Sequence, residues 1–489
     1  MKKVKSYILI AGLAALLWSC ANDESNSNSI QSGDSSLSLD LKEIKQLGVL
    51  RAMTTYSATS YFLYRGEPMG YEYELLQRFA DHLEVNLEIV ITDDIDSMFY
   101  YLNSGKVDLI AHGLTITKER KQEVDFSDYL YLVNQVLVQR KPDNWRRMSW
   151  SGIQKNLISD PIELIGDTIA VRQNTSYFTR LQHLSEEIGG EIVIDTLPGG
   201  LSTDEIIHMV VDKKIDYTIA DNNIAAINAS YYPVLDIDVP ISFSQRVAWA
   251  ISKDSDSLLI ALNGWIRGMK KKNDYYTIYN KYFKNKKDFR RRVKSEFYSL
   301  NNSSISEYDE LIQKYANEIG WDWRLLAAIV YQESRFQPEA ASWAEAKGLM
   351  QLMPGTAADL GVEDRTDPEQ SLYGGTKYLA QLFDHFETIP DSLERIKFAM
   401  ASFNAGIGHV EDARRLAEAN GKSPFIWDDN VEDAILELSF AKGYNHPVVR
   451  YGYVRGIEPY TYVDQIMERY GHYIQFIERD VKDVLTAQL

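Results

Sequence analysis

The sequence predicts two folded parts of different class, an α/β domain over residues 45–290 and an all-α domain over residues 303–485. The chain of 489 residues is longer than one ordinary core supports, because single cores stop growing near roughly 250–300 residues. In the first half the apolar period switches between 3.6 and 2, as alternating helices and strands require. Beyond residue 303 the helical period takes over. Acidic residues outnumber basic ones 70 to 52, and no long basic tract interrupts the chain, which disfavours a nucleic-acid partner.

Ahead of both domains, Lys2, Lys3 and Lys5 precede an apolar run from Ile8 to Leu17 that is too short to span a bilayer as a mature helix. It reads as an export signal. The run ends in Leu17-Trp18-Ser19-Cys20, which resembles the bacterial lipobox, although Trp18 is unusual there. Cys20 is the single cysteine, so no internal disulfide forms. The resemblance implies that residues 1–20 are a lipoprotein signal and that Cys20 carries the acyl chains, each buried methylene adding about 0.8 kcal/mol of membrane affinity. The alternative is an ordinary secretory signal that discards Cys20. Residues 21–44, rich in Ser, Asn and Asp as far as Leu39, read as a flexible tether. The expected location is the cell envelope, lipid-anchored at the outer membrane and facing the periplasm. The acidic stretch Asn22-Asp23-Glu24-Ser25 leaves the cell exterior open as an alternative.

In the α/β domain, Val49–Met53 reads as a strand. Leu75, Leu76, Phe79, Ala80 and Leu83 at helical spacing predict a helix over Tyr73–Leu83, and Val85, Leu87 and Ile89 alternating with polar residues predict the next strand. Val107–Ala111 and Thr168–Val171 read as short buried strands, which favours mostly parallel sheets with flanking helices. Four motifs then combine: Gly66-Glu67-Pro68-Met69-Gly70-Tyr71-Glu72-Tyr73-Glu74-Leu75, Gly105-Lys106-Val107-Asp108-Leu109-Ile110, Leu114-Thr115-Ile116-Thr117-Lys118-Glu119-Arg120 and Val124-Asp125-Phe126-Ser127. Together they resemble the amino-acid-binding periplasmic solute-binding proteins over roughly 240 residues.

That resemblance implies a bilobal fold whose crossovers are Gln135–Gln139 and Val247–Ile251, able to close on a ligand at a hinge. It assigns Arg120 to the ligand carboxylate, through the two parallel hydrogen bonds a guanidinium offers, and Asp221 to the ammonium group. Thr115 and Asn174-Thr175-Ser176 match positions that offer hydroxyl and backbone donors. The expected ligand is an amino acid or a muropeptide, and the expected role is regulatory. The plainer readings are an ion pair of Arg120 with Glu119 or Glu123, and a helix N-cap for Asp221.

The all-α domain follows the polar junction Asn301-Asn302-Ser303-Ser304. Ser304 and Glu307 have capping-box spacing, and Tyr308, Leu311, Ile312, Tyr315, Ala316 and Ile319 recur helically up to Gly320. A second helix is predicted from about Asp322 to Phe336, where Glu333 continues the apolar face of Leu326, Ile329 and Val330. A carboxyl placed there would be desolvated and would suit a general acid. The alternative is an exposed glutamate paired with Arg335 or Lys347.

Four ordered motifs decide for the acid: Tyr331-Gln332-Glu333-Ser334, Gly348-Leu349-Met350-Gln351-Leu352-Met353-Pro354, Ala401-Ser402-Phe403-Asn404-Ala405-Gly406 and Tyr460-Thr461-Tyr462-Val463-Asp464-Gln465-Ile466. They resemble the lysozyme-like lytic transglycosylases. The resemblance implies a peptidoglycan substrate, Glu333 as the catalytic acid and base, and Ser342, Gln351 and Met353 at the sugar subsites. Asn404 and Tyr462 would support the glutamate and the substrate. Phe403 stands where the family usually has tyrosine. No cofactor or metal is expected. A sensor without activity, or a muramidase using Glu339, Glu345 or Asp359 as a second carboxylate, remain the competing readings.

Overall fold

The computed structural model describes residues 38–92, 94–300 and 304–486; Cys20 and its lipobox lie outside the described residues. The chain divides into two compact units. One is built from the described residues up to Tyr61 and from Gly70–Phe289, the other from Phe62–Met69 and the described residues from Arg290 onward. No helix among the described residues is long and apolar enough to cross a membrane.

In the first unit, β1 (Val49–Thr54) begins where the αL residue Gly48 ends a short helix. The predicted switch to helix and back appears as Tyr71–Leu83 followed by β4 (Asn86–Ile91), after a hairpin of β2 (Phe62–Tyr64) and β3 (Glu67–Met69). The remaining strands are β5 (Leu109–Thr115), β6 (Asp125–Phe126), β7 (Tyr131–Val133), β8 (Gln135–Arg140), β9 (Thr168–Arg172), β10 (Val193–Leu197), β11 (Tyr217–Asp221), β12 (Leu235–Asp236) and β13 (Gln245–Ile251).

Apart from β2 and β3, which pair with each other, these strands form two sheets. The first runs β4-β1-β5-β13-β6 with β7 also on β13, and the second runs β10-β9-β11-β8-β12. β1 is parallel to β4 and β5, and β9 is parallel to β10 and β11. In each sheet the antiparallel member is a crossover segment: β8 lies antiparallel to β11, and β13 to β5. The chain leaves the first sheet at β7, enters the second at β8 and returns through β13, so Gln135–Gln139 and Val247–Ile251 fall within the two strands expected to cross. Each sheet buries an apolar layer of its own, Met53, Ile110 and Leu114 in one, and Leu137, Ile169 and Ile219 in the other.

The second unit is helical apart from the β2–β3 hairpin. Backbone bonds from Arg65 N to Phe297 O (2.9 Å) and from Ser299 N to Leu63 O (3.0 Å) hold that hairpin. Gly66 sits at its tip with φ +74°; a Cβ there would lie 2.6 Å from the Tyr473 hydroxyl and 2.7 Å from the Phe336 ring, so only glycine fits. The helices Asp309–Ile319, Trp323–Ser334, Pro368–His385, Ser392–Ala405 and Ile457–Thr486 pack together, the last lying against both Trp323–Ser334 and Ser392–Ala405.

The capping box expected from Ser304 and Glu307 does not form. The first helix starts later, at Asp309, whose carboxylate accepts from Ile305 N, Ser306 N and the Ser306 hydroxyl. That carboxylate satisfies the entering turn in place of Ser304, so the helix has no need of the earlier cap.

Candidate functional site

Glu333 is the next-to-last residue of the helix Trp323–Ser334, a helix started by Asp322, whose side chain accepts from Arg324 N. Leu326, Ile329 and Val330 on the same face are wholly buried, and the glutamate at the end of that face is half-buried. The chain then turns sharply, with Arg335 and Phe336 both at positive φ. This ends the helix immediately after the carboxyl group. No ion pair of Glu333 with Arg335 or Lys347 exists among the described residues; its partner is Tyr462, whose hydroxyl donates to Oε1 at 2.5 Å. Burial pushes the Glu333 carboxyl up to about 7, against the downward pull of that hydrogen bond.

Tyr462 lies on the helix Ile457–Thr486, and its register against the glutamate helix is fixed beside the site. Gln332 Nε2 donates to Gln465 Oε1 at 2.8 Å, and Arg469 Nη1 donates to Gln332 Oε1 at 2.9 Å. The sequence reading did not assign these three residues a role, although Gln332 and Gln465 stand inside the motifs.

The loop between Phe336 and Pro354 carries the next expected residues. Its tight path needs Gly348, at φ +88°, because a Cβ there would lie 1.8 Å from the Arg365 carbonyl oxygen. Gln351, also at positive φ, spends its amide N–H groups on Ala340 O and Gly348 O, both at 2.9 Å. Its side chain therefore braces the loop, and only the amide oxygen is left for a substrate donor. The Ser342 hydroxyl accepts from Ala346 N at 3.1 Å and is likewise part of the turn. Met353 is 44% exposed at the start of the helix Pro354–Leu360.

Phe403 rests against Tyr378 with ring centroids 5.5 Å apart, and Asn404 is exposed on the same helix with no hydrogen bond to Glu333. The support expected from Asn404 thus comes from Tyr462 alone among the hydrogen bonds to the carboxyl group. Glu339, Glu345 and Asp359 are all exposed, and none hydrogen-bonds to Glu333.

In the first unit Arg120, Thr115, Thr175 and Asp221 line one cleft. Arg120 Nη1 donates to Thr115 O at 3.1 Å. Asp221 stands at the N-cap position of the helix Asn222–Tyr231, yet its side chain makes no capping bond. It lines the cleft beside Tyr177, and its Oδ1 is buried without a hydrogen-bond partner. Burial pushes its carboxyl up to about 7, with Tyr177 and Arg120 pulling the other way. The Thr175 hydroxyl donates to Arg172 O at 2.8 Å, so the donors that position offers a ligand are backbone ones. Among the described residues no cluster of His, Cys, Asp or Glu could hold a metal ion.

Against known proteins, residues 310–426 match the Transglycosylase SLT domain family and residues 50–285 match the bacterial extracellular solute-binding proteins, family 3. A membrane-bound lytic murein transglycosylase F of Desulfosudis oleivorans is 36% identical over 88% of this chain and 91% of its own length. The protein of the same name from Photobacterium profundum is 31% identical over 97% of this chain and 87% of its own. The chain belongs to the membrane-bound lytic murein transglycosylase F family.

As a lytic murein transglycosylase it is an enzyme that joins a solute-binding domain to an SLT catalytic domain. Among solved structures, an ancestral amino acid-binding protein, a precursor of cyclohexadienyl dehydratase, is 27% identical with a TM-score of 0.42, covering 50% of this chain and 99% of that one.

Proposed function

We propose that this transglycosylase cleaves the β-1,4 bond between N-acetylmuramic acid and N-acetylglucosamine without adding water, with Glu333 as both acid and base. The observation that carries this is the single half-buried carboxyl group held by Tyr462 and poised near neutrality. Protonated, Glu333 gives its proton to the bridging oxygen as the bond from C1 breaks. The carboxylate left behind then takes the proton of the muramic C6 hydroxyl as that oxygen bonds C1, which closes a 1,6-anhydro ring and restores the acid. One group serves both steps, so the exposed Glu339, Glu345 and Asp359 need no part. The Gln351 amide oxygen, the Ser342 turn, Asn404 and the exposed Met353 would meet the sugars around the scissile bond, with Phe403 packing behind.

The front cleft would take an amino acid or muropeptide, Arg120 holding a carboxylate and Asp221 an ammonium group, and would regulate cutting. The membrane association in the relatives' name fits an acyl anchor on Cys20, which would hold the enzyme at the outer membrane facing the periplasm. Digestion of purified sacculi tests the reaction. Products ending in anhydro-muramic acid are expected, and reducing ends or an undigested sacculus would overturn the reading.

A further inference from the structure

The front cleft holds a second arginine that amino-acid recognition does not use. Arg172 ends β9, lines the same cleft as Arg120 and Asp221, and is 8% exposed. A buried guanidinium ordinarily has a carboxylate beside it, because an unpaired charge is costly to desolvate. Here the hydrogen bond it donates goes from Nη1 to Leu201 O at 3.1 Å, and no salt bridge engages it among the described residues.

The carboxylates nearest in electrostatic effect, Asp94 and Glu205, have other bonds. Asp94 accepts from Ser97, and Glu205 forms a capping box with Ser202. Two further features make this end of the cleft favourable for an anion. The helix Ser176–Ile188 begins there with no side chain capping its first N–H groups. His112, whose Nδ1 lies 3.1 Å from the Thr55 hydroxyl, is held down to about 3 by burial, then by Arg172 and Arg120, so it is neutral and leaves the anion to the two guanidinium groups. Asp221, whose Oδ1 is buried without a partner, gives the same cleft a carboxylate suited to an ammonium group.

We propose that Arg172 is a specificity-determining residue and that the cleft takes an α-amino acid carrying a second acidic group, with the α-carboxylate at Arg120, the ammonium at Asp221 and the second acid at Arg172. This rests on the amino-acid-binding reading of the cleft. A neutral side chain in that place would leave the Arg172 charge buried and unmatched, so selectivity arises from what is rejected as much as from what is bound.

Calorimetric titration of the full chain tests this with three pairs that differ in that acid group: glutamate against glutamine, aspartate against asparagine, and diaminopimelate against lysine. The acid member of at least one pair is expected to bind roughly tenfold or more tightly than its partner, as a charge-assisted pair of hydrogen bonds implies. The preference should collapse in Arg172→Gln and return in part in Arg172→Lys, each checked for an intact melting transition. If neutral members bind as tightly as acidic ones, or Arg172→Gln keeps the preference, the role of Arg172 is overturned while the amino-acid cleft stands. If no member of any pair binds, the cleft reading and this inference both fall.

Discussion

The two units each hold a carboxyl group raised to about 7, and the two groups differ in almost everything else. Glu333 ends a helix, is half-buried, and accepts one short hydrogen bond from Tyr462. Asp221 starts a helix, is 6% exposed, and answers to Tyr177 and Arg120 in a cleft that also holds Arg172. Glu72 makes a third case in the first unit: it too is raised to about 7 by burial and lines the same cleft, but its Oε2 accepts from Trp249 Nε1. Desolvation raises all three alike, and the neighbours differ: a tyrosine hydroxyl at Glu333, Tyr177 and Arg120 at Asp221, an indole N–H at Glu72. Under the proposed function the first would give a proton and the second would receive an ammonium group.

The largest effect that would sharpen this contrast is at Glu333. Glu333→Gln should lower sacculus cleavage by roughly 10²–10⁴-fold, the range for a lost general acid. Its stability should respond in the opposite sense. A carboxyl group raised in the folded state stabilises fully below its unfolded value, and that contribution is lost as pH rises through about 7. The variant should therefore melt no lower than the wild type at pH 8. A large fall in melting temperature with activity retained would break the assignment.

Next comes Gly348→Ala, which forces a Cβ against the Arg365 carbonyl at a positive φ and should cost about 3 kcal/mol in denaturant unfolding. Unchanged stability would mean that the loop carrying Ser342 and Gln351 is not held in this path.

A smaller change is expected from Tyr462→Phe. Its hydroxyl lowers the Glu333 pKa, so removing it should move the basic limb of the pH–rate profile upward and reduce turnover about tenfold. A profile that stays in place would remove Tyr462 from the mechanism.

The smallest is Glu72→Gln. The amide still accepts from Trp249, so glycan cleavage should be unaffected, and the melting temperature at pH 8 should rise by a few degrees as a buried charge is lost. An effect on cleavage comparable to that at Glu333 would erase the distinction between the two groups.

The sequence made some of this legible and hid the rest for physical reasons. Glu333 and Tyr462 could be read because each stands in a short motif on one helix, and the alternation of β1, Tyr71–Leu83 and β4 because local periodicity carries it. The cap of Asp309–Ile319 was misread because Ser304 and Asp309 compete for the same turn and spacing does not rank them. Gln351 was expected at a sugar subsite; that its amide N–H groups turn back onto the loop, leaving the oxygen for substrate, goes with a positive φ that is invisible in residue identity. The grouping of Phe62–Met69 with the helical unit rests on long-range bonds, the backbone pairing with Phe297 and Ser299 and the Tyr473 hydroxyl donating to Gly66 O across 407 positions, that no local pattern encodes. Arg172 escaped notice because an arginine ending a strand looks like any surface cation until its burial is known.

The one-carboxyl mechanism requires that the C6 hydroxyl of the sugar, rather than water, closes on C1 under the control of Glu333. Digesting sacculi in heavy-oxygen water and weighing the products tests this most directly. Anhydro-muramic ends free of the heavy isotope are predicted; reducing ends that carry it would contradict the one-carboxyl mechanism.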